Sequence, residues 1–424
     1  MTTQAIQAIR GMNDICPEQI VYWQHVESVL KRILAQYHYS EIRLPILEKT
    51  ALFTRTIGDA TDIVEKEMYT FNDRNGDSLS LRPEGTACCV RAGIEQGLLY
   101  NQIQRLWYSG PMFRHERPQK GRYRQFYQLG VEAYGLPGPE VEVEQMALFW
   151  RLLQALGLSN QVTLQINTLG SSDCRQRYRE RLVNFFQQHH DQLDDDAKLR
   201  LQKNPLRLLD SKQPAIQALI NQAPVMADNL TEAAASHFKR CCHLLDQLQI
   251  PYQHNPRLVR GIDYYCHTVY EWTTDSLGAQ GTVCAGGRYD GLVAELGGKS
   301  TPAVGFAMGF ERMILMLQQH TELSSKPDIF MVLLGDDAMQ HGLVLAEQLR
   351  TAHAHLRVLA QTSGASMKSQ FKQADQSGAQ WACVLGESEC QQQTITLKHL
   401  RDRSIAQRTL AWSELINFFK GDEA

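Results

Sequence analysis

Apolar residues recur at helical spacing over 17–37, where Ile20, Trp23, Val26, Leu30, Ile33, Leu34 and Tyr37 share one face and Pro17 suits a first turn. The spacing predicts an amphipathic helix. The stretch SEIRLPILE (40–48) loses that period and reads as a strand, which Pro45 confines to an edge or a kink. Residues 68–72 and 79–82 read as strands around the turn Asp73-Arg74-Asn75-Gly76. A helix over about 86–99 and a strand over 161–167 follow. From 171 to about 225 the pattern becomes Gln-, Asp- and Leu-rich and helical, with no strand signal. This stretch is expected to be a helical insertion within a first domain. Residues 231–248 read as a helix, strand character returns at 251–259, 264–272 and 281–286, and another helix is expected to begin near Ala307.

The pattern changes again after TELSSKPD (321–328), a polar stretch with linker composition. Beyond it, DIFMVLLG, a helix over 337–352, RVLAQ, a helix over 366–377 and WACVLG alternate as strand, helix, strand, helix, strand. A hairpin and the helix WSELINFF close the chain. Such alternation predicts a compact α/β domain of mixed or parallel sheet. It has no Gly-rich phosphate fingerprint, which argues against a dinucleotide site. The expected division is 1–170, an insertion at 171–225, a return to the first domain at 226–325, and a C-terminal domain at 329–424.

Composition narrows the class. The 424 residues are 43% hydrophobic and 21% charged, an ordinary globular balance. Net charge is -3, so contact with nucleic acid must come from local basic patches. No apolar run is long enough to predict a membrane span. The N-terminal stretch shows no signal-peptide core, and the ten cysteines form no C-x-x-C pair. They read as reduced thiols of a cytoplasmic protein, and no site for a permanently bound metal is expected.

The most informative stretch is WYSGPMFRHERPQKGRYRQFYQLGVE (107–132). Two apolar strands flank a tip carrying Arg114, Arg117, Lys120, Arg122 and Arg124. A hairpin of this kind holds guanidinium forks suited to phosphate. Read as extended strand, Arg114 and Glu116 share a face, and so do Phe126, Gln128, Gly130 and Glu132. That face suits a polar ligand better than a core. In LRPEGT (81–86), Glu84 and Thr86 stand at a helix start, where Thr86 reads as a cap and Glu84 as an anion favoured by the helix dipole. LVRGIDYY (258–265) sets Arg260 before a tyrosine pair, and TVCAGGRYDGL (282–292) carries a Gly pair. In AVGFAMGFERMILML (303–317), small residues allow a strand and a helix to pack closely. Arg312 falls early in that helix, where an anionic ligand would compensate its conflict with the dipole.

Together these segments resemble the three signature motifs of class II aminoacyl-tRNA synthetases. The helix-strand pair ending RLPILE resembles motif 1, FRHERPQKGRYRQFYQLG motif 2, and AVGFAMGFER motif 3. LVRGIDYY and TVCAGGRYDGL resemble the two signatures of the histidyl-tRNA synthetase family. Essentially the whole chain is covered. Cys266 and His267 depart from the Asn and Arg expected after RGIDYY, whereas Arg260 and Tyr265 keep the pattern.

The resemblance implies an α+β fold: a class II antiparallel-sheet catalytic domain with a helical insertion, and a C-terminal α/β anticodon-binding domain. It implies a cytoplasmic homodimer that takes L-histidine, ATP with Mg2+ as a substrate complex, and tRNA(His). Histidyl-adenylate and pyrophosphate form first, and the histidyl group then passes to tRNA. By the same resemblance Arg114 grips the α-phosphate, Glu116 meets the adenine amino group, Phe126 stacks on adenine and Arg312 binds the γ-phosphate. Arg260 bridges the histidine carboxylate and the α-phosphate. Glu84, Thr86 and Gln128 hold the substrate ammonium, Glu132 and Tyr265 address the imidazole, and Tyr264 and Tyr289 line the same pocket. Arg117 and Gln119 face the tRNA acceptor end. A carboxylate and a phenol would satisfy the one donor and one acceptor of a neutral imidazole. The rivals are a non-catalytic synthetase-like regulatory paralogue and a class II synthetase for another amino acid.

Overall fold

The structure, a computed structural model, describes residues 5–421 apart from 59–60, 212 and 279–280. The ends of the first and last expected domains, 1–4 and 422–424, and position 212 of the expected insertion therefore lie outside the described residues. The chain divides into two compact units, Met1–Glu322 and Leu323–Ala424.

In chain order the first unit has strands β1 Ser40–Glu41, β2 Leu47–Lys49, β3 Thr70–Asn72, β4 Ser78–Leu81, β5 Gln104–Phe113, β6 Gln125–Tyr134, β7 Thr163–Thr168, β8 Tyr252–His254, β9 Cys266–Thr273, β10 Thr282–Arg288 and β11 Ala303–Gly309. Eight of them form one sheet in the order β1-β5-β6-β11-β10-β9-β7-β8. Its inner pairings are antiparallel and only the two edge strands pair in parallel, so the expected antiparallel sheet is present. Helix Glu140–Ala155 closes one face, with Phe149 packed on Trp272 and Phe306. The helix expected over 17–37 is Pro17–Gln36, and its Trp23 stacks on Phe310.

Register sets two close approaches. Tyr108 lies opposite Gly130, and its ring fills the space that a Cβ at Gly130 or at Gly85 would take. Gly305 lies opposite Glu132, and a Cβ there would overlap the Glu132 carboxylate. Gly305→Ala is therefore expected to displace Glu132 and to destabilise the protein by about 1–3 kcal/mol, the usual cost of overpacking. Thermal melting checks this; an unchanged melting temperature would contradict the register.

The insertion is helical as expected, with helices Ser172–Gln188, Asp195–Lys203 and Pro214–Gln222. Ser171 and Asp194 cap the first two by accepting N–H bonds from Cys174 and Ala197. The insertion docks onto the loop that precedes β9. Arg207 Nη2 donates to Gly261 O (2.7 Å), Asn204 Nδ2 to Asp263 Oδ1 (2.6 Å) and Arg175 Nη1 to Tyr265 O (2.6 Å).

Several local expectations differ from the structure. The strand expected over 40–48 is split into β1 and β2, which belong to different sheets. Pro45 has no N–H for a ladder, and Arg82 takes the Leu44 and Pro45 carbonyls. The helix expected to reach residue 99 is Thr86–Glu95. Gly97, at φ 67°, turns the chain there, and Leu99 packs on Gly93. The strand expected over 251–259 is only Tyr252–His254, because Asn255 and Leu258 close a turn before Arg260. The helix expected near Ala307 begins at Phe310, since residues up to Gly309 still pair with β6.

In the second unit, β12 Ile329–Leu333, β13 Val358–Ala360, β14 Trp381–Leu385, β15 Thr394–His399 and β16 Arg408–Ala411 form a sheet in the order β13-β12-β14-β15-β16. β12 runs parallel to both neighbours, whereas β14, β15 and β16 pair antiparallel. This is the expected mixed α/β domain. Its short helix Glu387–Gln392 was not anticipated, being too brief for a helical period to register.

Candidate active site

A cavity of about 390 Å³ opens on the face of the large sheet opposite helix Glu140–Ala155. Of the residues singled out in the sequence, Glu84, Thr86, Arg114, Glu116, Phe126, Gln128, Arg260, Tyr264, Tyr265 and Arg312 line it. Residues from five separate segments thus meet in one place. Arg122 of the hairpin tip also lines it, as do Glu311 and Thr282, to which the sequence assigned no role.

Arginines dominate the cavity. Arg114 donates from Nε to Pro83 O (2.9 Å), and its guanidinium lies 5.2 Å from the centre of the Phe126 ring. Arg312 donates from Nε to Gly121 O (3.1 Å) and from Nη1 to Thr282 O. Burial lowers the pKa of both. At Arg312, repulsion from Arg114 and Arg122 adds to the effect of burial. Cations gathered against their own repulsion favour a polyanionic ligand.

Arg114 and Glu116 do not share a strand face as expected, because β5 ends at Phe113. Arg114 N still bonds Arg124 O, but His115 N turns to Glu67 O and Glu116 N to Arg114 O, which takes the chain out of the ladder. The Glu116 carboxylate pairs with Arg122. Glu84 rather than Thr86 caps the following helix, accepting the N–H groups of Thr86 (2.6 Å) and Ala87 (2.9 Å). Burial raises its pKa, and these two bonds oppose the rise.

Glu132 lies beneath the cavity wall, fully buried, and is not among the lining residues. Three hydroxyls serve it: Thr86 Oγ1 (2.8 Å) and Tyr108 (3.0 Å) donate to Oε1, and Tyr289 (2.5 Å) donates to Oε2. Burial pushes its pKa up to about 8 against these bonds. Tyr289 likewise sits behind the wall, whereas Tyr264 and Tyr265 line the cavity; burial pushes Tyr265 up to about 12. Tyr108 completes this group without having been singled out. Its signal was the Gly130 directly across the hairpin, leaving room for a ring.

Arg117 and Gln119 are exposed on the hairpin tip, where Gln119 and Arg122 exchange backbone hydrogen bonds. Cys266 and His267 face away from the cavity. Cys266 Sγ accepts from Asp290 N, and His267, at φ 47°, packs its ring on His237. The departures from the expected signature thus lie off the cavity wall. Among the described residues no helix is long and apolar enough to cross a membrane.

A family model described as histidyl-tRNA synthetase matches residues 11–313, and one described as an anticodon binding domain matches 328–422. The chain is similar to the apo histidyl-tRNA synthetase of S. aureus, at 36% identity and TM-score 0.80, covering 98% of this chain and all of that one. It also shares its fold with a histidyl-tRNA synthetase from Nostoc sp. (19% identity, TM-score 0.70, 98% and 99% covered). A Bacillus halodurans protein described as an ATP phosphoribosyltransferase regulatory subunit/histidyl-tRNA synthetase has this fold too (22%, 0.65, 91% and 100%).

Proposed function

The chain belongs to the histidyl-tRNA synthetase family, and from that premise we propose that it ligates L-histidine to tRNA(His) through a histidyl-adenylate. ATP enters as its Mg2+ complex, and the protein acts as a cytoplasmic homodimer. An oxygen of the histidine carboxylate attacks the α-phosphorus of ATP, and the bond to pyrophosphate breaks. A terminal ribose hydroxyl of tRNA then attacks the adenylate carbonyl, and AMP leaves. The observation that carries this reading is the meeting of Arg114, Arg260 and Arg312 in one cavity above the Glu132 hydroxyl cluster. The cations suit a triphosphate and a carboxylate; the tyrosines and buried acid suit an imidazole.

The protein needs no nucleophile of its own, because the substrate carboxylate attacks. Its work is alignment and charge stabilisation. Arg114 and Arg260 act at the α-phosphate and Arg312 at the γ-phosphate. Phe126 and Glu116 hold adenine. Glu84, Thr86 and Gln128 hold the ammonium, Glu132 and Tyr265 select the imidazole, and Tyr264 and Tyr289 belong to the same pocket. The exposed Arg117 and Gln119 meet the acceptor end. The non-catalytic alternative is disfavoured because all three arginines and the anticodon-binding unit are present. Amino-acid-dependent pyrophosphate exchange tests the proposal. Exchange with histidine alone is expected; exchange with a different amino acid, or with none, would overturn it.

Glu132→Gln is expected to weaken histidine binding about 10-fold or more while leaving binding of an ATP analogue within about twofold, since the altered group and its Thr86 partner serve the histidine end of the site. Separate titrations check this, and equal weakening of both ligands would contradict the role. The same variant has a pH signature. Folded Glu132, raised to about 8, holds a proton that an unfolded glutamate releases near about 4.3. The folded state therefore binds more protons between these values, and stability falls as pH rises through them. Wild type is expected to lose melting temperature from pH 6 to pH 9 more steeply than Glu132→Gln. Parallel slopes would contradict the shift.

A further inference from the structure

The strongest unassigned feature is a carboxylate on an inner strand that lines a second cavity and pairs with an arginine of the arginine-lined one. Residues of β9 alternate between two faces. Thr268, Tyr270 and Trp272 turn toward helix Glu140–Ala155, where they meet Glu142, Gln145 and Phe149. Glu271 therefore points the other way. Its register partner on β10 is Ala285, which lines the arginine-rich cavity. Glu271 pairs with Arg260 Nη1, and both side chains are only 18% exposed. Its second oxygen accepts from Thr282 Oγ1 (3.2 Å), while the Thr282 carbonyl accepts from Arg312. One short motif thus anchors the two cations expected at opposite ends of the triphosphate. Arg260 is otherwise lightly held. It lies 5.9 Å from the Tyr265 ring centre, and its Nε is buried without a hydrogen-bond partner among the described residues.

An acid here should oppose a polyphosphate, and an arginine on a loop should sample many rotamers. The pairing removes both problems. It neutralises the acid and holds the guanidinium by one nitrogen, which leaves the remaining donors for substrate. We propose that Glu271 is a positioning residue for Arg260, fixed in turn by Thr282, and that it serves adenylate formation by holding that guanidinium in its reactive place. The proposal rests on the synthetase reading above.

The two possible roles of the pair separate kinetically. A merely structural pair would lower the melting temperature and move every constant together. A positioning residue lowers kcat, while loss of its negative charge leaves KM for ATP unchanged or lower. In histidine-dependent pyrophosphate exchange, Glu271→Ala is expected to lower kcat about 30- to 100-fold, the scale of an ångström-sized misplacement of a reacting group. KM for ATP should not rise, and Glu271→Gln, which keeps an acceptor for Nη1, should recover most of the loss. In an Arg260→Lys background, which lacks the fork, adding Glu271→Ala should cost less than about threefold, because residues acting as a unit are not additive. Full additivity in that background would overturn the proposal. So would an unchanged kcat, or a rise of about 10-fold in the Mg2+ required, which would make Glu271 a magnesium ligand. Wild type is measured alongside. No exchange in wild type refutes the synthetase reading, whereas normal exchange in wild type and in Glu271→Ala refutes only the role of Glu271.

Discussion

Replacing Arg260 with alanine is expected to remove adenylate formation while leaving the fold intact. The loop that carries Arg260 is fixed by its backbone, through Arg207 on Gly261 and Arg175 on Tyr265, and not by the Arg260 side chain. The side chain lines the cavity and pairs with Glu271. On the proposed mechanism, its loss removes a cation from the point where the attacking carboxylate and the α-phosphate bring negative charge together. Deleting a donor of this kind costs about 2.7–4 kcal/mol of transition-state stabilisation, or about 100- to 1,000-fold in kcat. Glu271 is left without its partner, which adds a smaller stability cost. Pyrophosphate exchange and thermal melting are measured on the same preparation. Near-normal exchange in a folded Arg260→Ala protein would remove Arg260 from the reaction.

Removal of residues 323–424 is expected to spare adenylate formation and to abolish efficient charging of tRNA. The cut follows the boundary between the two compact units, and the second has its own sheet and buried core. All the arginines and tyrosines of the cavity lie in the first unit. The second is matched as an anticodon binding domain, so its loss deprives tRNA of one of two attachment points. Losing one of two linked modules lowers apparent affinity by about 100-fold or more. The truncated protein, checked to be folded, is assayed for exchange and for charging. Equal loss of both activities, or full charging, would contradict this division of labour.

The cavity was legible in the sequence where chemistry and local period coincided. Phe126, Gln128 and Glu132 alternate along one strand, and the strand is present. Arg114 and Glu116 show the limit of that period, because neighbouring backbone captured His115 and drew the chain out of the ladder. Tyr108 and Glu271 were missed for a different reason. Each carries meaning only through a partner brought near by the fold: Tyr108 through Glu132, and Glu271 through Arg260. Boundaries failed where a side chain from elsewhere took the backbone. Arg82 binding the Leu44 and Pro45 carbonyls breaks a stretch whose own pattern was continuous. The C-terminal unit was legible almost throughout because its strands and helices alternate with clear periods and a polar linker precedes them.

Single-turnover transfer tests directly whether this chain carries histidine to tRNA. The purified protein is mixed with labelled histidine, ATP, Mg2+ and a tRNA(His) transcript, and acid-precipitable label is followed with a transcript for another amino acid as control. Label is predicted to enter tRNA(His) alone, in step with the release of AMP. A folded protein that binds histidine and ATP but transfers no label to tRNA(His) would contradict the account.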